Sequence, residues 1–172
     1  MSGVINGFTL GGVSAITDGN GATLSVTSGA EVILATYSIT GGQFKADDIL
    51  KVQLIATRPA GTSTTMKLYW SLNPSTASST QLAAVATGNS YNYLPIMRHI
   101  AIVSATTSLV YPINISNPTD FGDAAGNEFI APISTITGVD WSKDGYFIVT
   151  QSDIGAAGGL RNFIEYYFTV IV

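Results

Sequence analysis

The chain reads as an all-β protein, an antiparallel β-sandwich preceded by an extended N-terminal arm. Three observations predict it. Apolar and polar residues alternate in short runs rich in Val, Ile, Thr and aromatics, as in "ILKVQLIAT" and "TMKLYWSL", and a period of two puts one row of side chains on each face of a strand. Those runs are separated by Gly, Pro, Asn and Ser, the residues that supply turn conformations. No segment of a dozen residues carries the apolar stripe a helix needs to bury one side.

The elements follow in order. Residues 1–30, with "GFTLGGVSAITDGNGATLSVTSG", are rich in Gly, Ser and Thr and poor in large apolar residues, which fits either an extended arm or two weak strands at the domain's edge. The arm is the assignment taken here, with the domain over 31–172. The first strand is "EVILATYSIT" over 31–40. Over 49–70, Leu50, Val52, Leu54 and Ala56 share one face and Lys51, Gln53 and Thr57 the other; after "RPAG", Met66, Leu68, Trp70 and Leu72 repeat the pattern against Lys67, Tyr69 and Ser71. Pro59 is preset for the second position of a turn and Gly61 is free to take a positive φ. These two runs predict a β-hairpin. Further strands are predicted over 81–86, 98–104, 108–115, 133–139, 146–152 and 162–172. Eight or nine strands in one domain of this length fit a jelly roll better than an immunoglobulin-like sandwich, which is usually ~100 residues. The last strand stays apolar to Val172, so it is expected to be locked into a sheet or buried at a subunit contact.

Composition bounds the function. At 172 residues there is room for one domain with a full core. Hydrophobic residues make up 46% and charged residues 10%, against about 25% charged in ordinary soluble domains. Thr, Ser and Gly, with 20, 17 and 18 copies, must therefore build the surface. A surface so poor in charge is expected to be covered in part by other subunits. The balance of 7 Lys and Arg against 11 Asp and Glu gives −4, with no basic cluster, which argues against a nucleic-acid partner. Cysteine is absent, ruling out disulfides, thiolate metal sites and a thiol nucleophile. "MSGVINGFTLGG" lacks the basic and apolar regions of a secretory leader, and no apolar run approaches the ~18 residues of a membrane span. Synthesis and assembly in a cytoplasm are expected, with no membrane partner.

Candidate chemistry is sparse. The single histidine, His99, opens a predicted strand without a nucleophile motif near it; it reads as structural or surface, with Arg98 on the opposite face. Carboxylate pairs can be drawn among Asp140, Asp144, Asp153 and Glu165, or from Asp47 with Asp48. The simpler reading makes Asp47 and Asp48 the start of a strand and Asp144 with Gly145 a turn. The loop "NPTDFGDAAGNE" gathers Asp120, Asp123, Asn127 and Glu128, and "TDGNG" places Asp18 and Asn20 two apart; neither has the ligand spacing of a calcium loop. Asn114 to Ser116 is an accidental glycosylation sequon in a cytoplasmic setting. No catalytic residue, metal or cofactor is expected. The remaining candidates are aromatic: Tyr91 and Tyr93 in "GNSYNYLP" and Trp141 in "GVDWSKDG". They suit sugar stacking or a protein interface, or alternatively cover the ends of the sandwich.

The stretch "ADDILKVQLIATRPAGTSTTMKLYWSLNPS", with "TQLAAVATG" and the closing "NFIEYYFTVIV", resembles jelly-roll domains of tailed-bacteriophage virion proteins. The resemblance covers roughly 46–90 and the C-terminus. It implies a homotrimer on a particle, as a capsid decoration (cement) protein docked on other virion proteins such as the major capsid protein, a head fibre or spike, or a tail-fibre tip. The chain departs from a complete fibre in having no coiled-coil or collagen-like shaft. A carbohydrate-binding or receptor-binding module, with Tyr91, Tyr93 and Trp141 stacking on a host-surface glycan, is the alternative expectation.

Overall fold

The computed structural model describes residues 9–12, 25–26, 31–57, 63–87, 93–112, 133–154, 159–160 and 163–171. Within them the chain runs β1 (Thr9–Gly12), β2 (Ser25–Val26), β3 (Glu31–Ile39), β4 (Ile49–Thr57), β5 (Ser63–Ser71), β6 (Thr80–Thr87), β7 (Tyr93–Ser104), β8 (Thr107–Pro112), β9 (Ser134–Ile136), β10 (Gly145–Ile154), β11 (Gly159–Leu160) and β12 (Phe163–Ile171). All pairings are antiparallel. A six-stranded sheet has the order β1-β12-β4-β7-β8-β9, a four-stranded sheet the order β3-β10-β5-β6, and β11 pairs with β2 alone.

The core is one apolar cluster fed by both large sheets. Leu50, Val52, Leu54, Ile96, Ile100 and Val110 come from the first, and Met66, Leu68, Trp70, Val85, Phe147 and Val149 from the second. Their rows alternate with more exposed residues along each strand, as a sandwich-like packing of half-buried strands requires. The β10–β3 pairing shifts register between Val149 and Thr150. Leu34 is the extra residue there, 5% exposed.

The predicted hairpin over 49–70 is corrected. β4 pairs with β7 and β12 in one sheet, while β5 pairs with β10 and β6 in the other. β4 and β5, consecutive in the chain, therefore lie in different sheets, and residues 58–62 between them lie outside those described. Alternation says that each run buries one face, but the two rows meet a common core whether the strands lie side by side, about 4.8 Å apart, or stack across it at about 10 Å. The row also ends earlier than predicted: β5 stops at Ser71, and Leu72 is 49% exposed.

The described residues nearest each end of the chain lie in the sheets. Of residues 1–30, the described 9–12 pair with β12 and 25–26 with β11, the two-weak-strands alternative for those six residues. The closing strand β12 lies between β1 and β4, inside a sheet as expected.

Among the described residues two side chains bury polar atoms without a hydrogen-bond partner, Trp70 at its Nε1 and Gln151 at both ends of its amide. Gln151 faces inward between Val32 and Met66 in register, fully buried, and among the described residues neither its Oε1 nor its Nε2 has a hydrogen-bond partner. An unpaired buried amide costs about 1–3 kcal/mol. Gln151→Met keeps the length without the polar atoms, and is expected to raise the unfolding free energy by about 1 kcal/mol or more in urea titrations; a lower value would show that the amide is satisfied in solution.

Candidate interaction surface

The sequence-predicted aromatics do not form a common platform. Trp141 is 2% exposed, correcting its assignment as a displayed loop aromatic. Its indole meets Phe44 edge-on at 5.5 Å, Phe147 at 6.1 Å and Trp70 at 6.5 Å between centroids, and its Nε1 donates to Ser108 Oγ at 2.8 Å. Its backbone N–H donates to Ala105 O and its carbonyl accepts from Gly42 N, both at 2.8 Å. Short apolar reach and a buried donor make it a core residue. Tyr93 is corrected from loop to strand, opening β7 opposite Thr57. Tyr91 and the side chain of Tyr93 lie outside the described residues.

The carboxylates serve the loops. Asp47 takes a positive φ of 73°, its N–H donating to Ile102 O, while Ile102 N donates to Asp48 O, so the β4–β7 ladder begins there. Asp48 Oδ2 accepts from Lys45 N at 2.8 Å. Asp140 Oδ1 accepts from both the N–H and the hydroxyl of Ser142, and its Oδ2 pairs with Lys143 Nζ at 3.2 Å. The Ser142 and Lys143 hydrogen bonds hold its carboxyl below the usual range. Asp144 Oδ1 accepts from Gly41 N at 2.8 Å. Among the described residues no three His, Asp or Glu side chains converge on a metal-sized site. The loop with Asp120, Asp123, Asn127 and Glu128, the pair Asp18 and Asn20, and the sequon at Asn114 lie outside them.

Arg98 and His99 take opposite faces, as expected. Arg98 lies in the inward row between Ile96 and Ile100, 6% exposed, with Nη1 donating to Met97 O at 3.1 Å. His99 lies outward and half-buried on the six-stranded sheet, edge-on to Tyr111 at 5.3 Å between centroids. Burial, then the neighbouring Lys51 ammonium, lowers its pKa.

That leaves the two outer faces. On the four-stranded sheet, a polar network surrounds Glu31: Tyr69 Oη donates to its Oε1 at 2.9 Å, Thr150 Oγ1 donates to the same oxygen, and Lys67 Nζ pairs with Oε2 at 3.3 Å. Burial raises the Glu31 pKa, but the Thr150 and Tyr69 hydrogen bonds and the Lys67 charge outweigh it and hold the carboxyl below its ordinary value of 4.5. A folded-state value below the unfolded one adds stability that is fully present above the unfolded value and is lost as pH falls through the folded one. Thermal midpoints of the wild type are therefore expected to fall more between about pH 5 and pH 3 than those of Glu31→Gln; parallel curves would show that the network adds nothing. The sequence offered no signal for it, since Glu31 and Thr150 stand 119 residues apart.

The outer face of the six-stranded sheet is built differently. Its outward rows include Lys51 and Gln53 of β4, Met97, His99 and Ala101 of β7, and Leu109 and Tyr111 of β8, all half-buried. Lys51, His99 and Tyr111 form one cross-strand row, Gln53 faces Met97, and Ala101 faces Leu109. Val103 of β7 and Ile133, just before β9, are exposed at 52% and 65%. Parity in "RHIAIVS" marks these residues as outward, but which strands lie beside them was not readable.

Comparison with protein-family models, with curated proteins and with solved structures finds no match.

Proposed function

We infer that this chain is a virion structural protein on a jelly-roll domain, acting as a trimeric capsid decoration protein or a head-fibre or spike component. The observation that carries the reading is strand order. With β1, β3, β4, β5, β6, β7, β10 and β12 counted one to eight, the sheets run 1-8-3-6 and 2-7-4-5, the order two interleaved Greek keys produce in a jelly roll. β8 and β9 are then an extension of the first sheet beyond β7.

A jelly roll hosts many functions, so the functional step leans on chemistry. Only 10% of residues are charged, and cysteine is absent. The described carboxylates hold loops and a sheet face rather than converging on a substrate. A protein of this kind works by geometry, covering a lattice and its own sister subunits. Residues 1–30 are the proposed attachment arm. Because β1 lies within them, deletion of 1–8 is the cleaner probe of attachment than deletion of 1–30.

The test is sedimentation. An antibody against the chain is followed through a density gradient of a lysate from its source. Banding with assembled particles supports the reading, and persistence in the soluble fractions overturns it.

A further inference from the structure

We propose that residues 31–33, at the start of β3, form a strap held shut on β10 by the Glu31 carboxylate and released when that carboxylate is neutralised. The strap belongs to the four-stranded sheet and holds whether or not the chain belongs to a virion. Three independent features of this end of β3 carry it.

The first is a break in the ladder. β3 is an edge strand, with β10 on one side and, among the described residues, no strand on the other. Its register with β10 shifts between Val149 and Thr150, leaving Leu34 as the extra residue. Beyond that bulge only three pairs remain: Ile33 with Thr150, Val32 with Gln151 and Glu31 with Ser152. A bulge interrupts pairing, so this end can part from β10 while the pairs over 35–39 stay closed.

The second is how little the end buries. Glu31 is exposed, Val32 half-buried and Ile33 38% exposed, whereas Leu34 and Ile39 are 5% and 4% exposed. On the inner side Val32 lies in register with Gln151, whose buried amide has no hydrogen-bond partner among the described residues. Opening the strap lets water reach that amide and relieves a cost of the closed state. Segments with little buried apolar area open well below the free energy of global unfolding.

The third is the closure. On the outer side one carboxylate joins three strands. Glu31 Oε1 accepts from Tyr69 Oη at 2.9 Å and from Thr150 Oγ1, and Oε2 pairs with Lys67 Nζ at 3.3 Å. Hydrogen bonds to an ionised group are the strong ones. The residues facing Glu31 are Thr150 and Ser152 from β10, Thr65, Lys67 and Tyr69 from β5, and Gln81 and Ala84 from β6. Lys67 is the one cation among them and Tyr69 the one other titratable group; Tyr146 of β10 lies opposite Ser38, at the far end of β3. A proton on Glu31 therefore leaves Lys67 without its counter-charge and turns an acceptor oxygen into a donor. Burial opposes the ionised form but is outweighed, and the carboxyl stays below its ordinary value of 4.5. Closure is thus complete above that value and is lost as pH falls through the lower, folded one.

The test is residue-resolved hydrogen exchange on the full chain at pH 7 and at about pH 3, corrected for intrinsic exchange rates. In the wild type, protection of amides within 31–33 is expected to fall about tenfold or more at the lower pH, while those within 35–39 keep theirs. Glu31→Gln should show the open pattern already at pH 7 and lose the pH dependence. Tyr69→Phe removes one donor and keeps the ring, and should fall between the two. Equal loss of protection on both sides of Leu34 overturns the proposal, because the network then serves the whole sandwich. So does a segment that is unprotected in the wild type at pH 7, or one protected equally in the wild type, Glu31→Gln and Tyr69→Phe.

Discussion

Replacing Trp141 by alanine is expected to lower the unfolding free energy by about 3–5 kcal/mol, the range for truncating a buried Trp or Phe. The indole is 2% exposed and touches aromatic rings from three other segments: Phe44 before β4, Trp70 at the end of β5 and Phe147 in β10. Truncation opens a cavity where both sheets and two loops meet, and strands Ser108 Oγ without the donor now 2.8 Å away. Trp141→Phe should lose less, since it keeps most of the apolar volume and forfeits the hydrogen bond. The measurement is urea denaturation at one fixed protein concentration, because association adds to apparent stability. A loss under about 1 kcal/mol would mean that the ring is not a core element. The same variant bears on sugar binding. An indole with no accessible face has nothing to stack on a glycan, so any change in glycan binding by Trp141→Ala should track the loss of folded protein.

Gly41→Ala carries the second large effect, about 3 kcal/mol, the upper part of the range for overpacking. A Cβ on Gly41 would lie 2.5 Å from Ser142 O, 2.8 Å from Lys143 C and 3.0 Å from Asp144 N. All three are backbone atoms. No rotamer change relieves the overlap, so the loop after β3 must part from the loop before β10. That parting also threatens the Gly41 N–H bond to Asp144 Oδ1 and the Gly42 N–H bond to Trp141 O. Gly42→Ala is the comparison. Its Cβ meets nothing within 4 Å, but its φ is +74°, which costs an L-residue about 1–2 kcal/mol. Thermal or urea midpoints should therefore rank wild type above Gly42→Ala and Gly42→Ala above Gly41→Ala; the reverse order would place the close approach elsewhere.

These two variants act on the end of the sandwich where sequence reading was weakest. "GVDWSKDG" looks like an exposed turn, rich in Gly, Asp, Ser and Lys, and its polar residues are in fact exposed or half-exposed. Trp141 is drawn in from among them. What draws it is a pocket formed by Phe44, Trp70 and Phe147, residues between 6 and 97 positions away in sequence, and local pattern carries no information about such meetings. The fate of Asp144 illustrates the same limit. The sequence reads it as forming a turn with Gly145, but the turn lies at 141–142 and Gly145 opens β10, while its partner, the N–H of Gly41, stands 103 residues away.

The strands themselves were legible. "EVILATYSIT", "RHIAIVS" and "YFIVTQS" fall within or nearly within β3, β7 and β10, because burial of one face imposes a period of two on any half-buried strand. The same rule set Arg98 and His99 on opposite faces, and the structure turns Arg98 inward and His99 outward. The chain's own residues thus determined that it is all-β, where its longer strands lie and, for β4 and β5, which side is buried. Partnership was decided only by the tertiary structure. Leu50, Val52 and Leu54 face Met66, Leu68 and Trp70 across a core rather than along a hairpin. The alternation is identical in the two arrangements, and the choice depends on β10 and β12, more than 70 residues downstream, each pairing along one of the two strands. Local alternation records which face avoids water, while the identity of a neighbour is settled by the free energy of closing the whole sandwich.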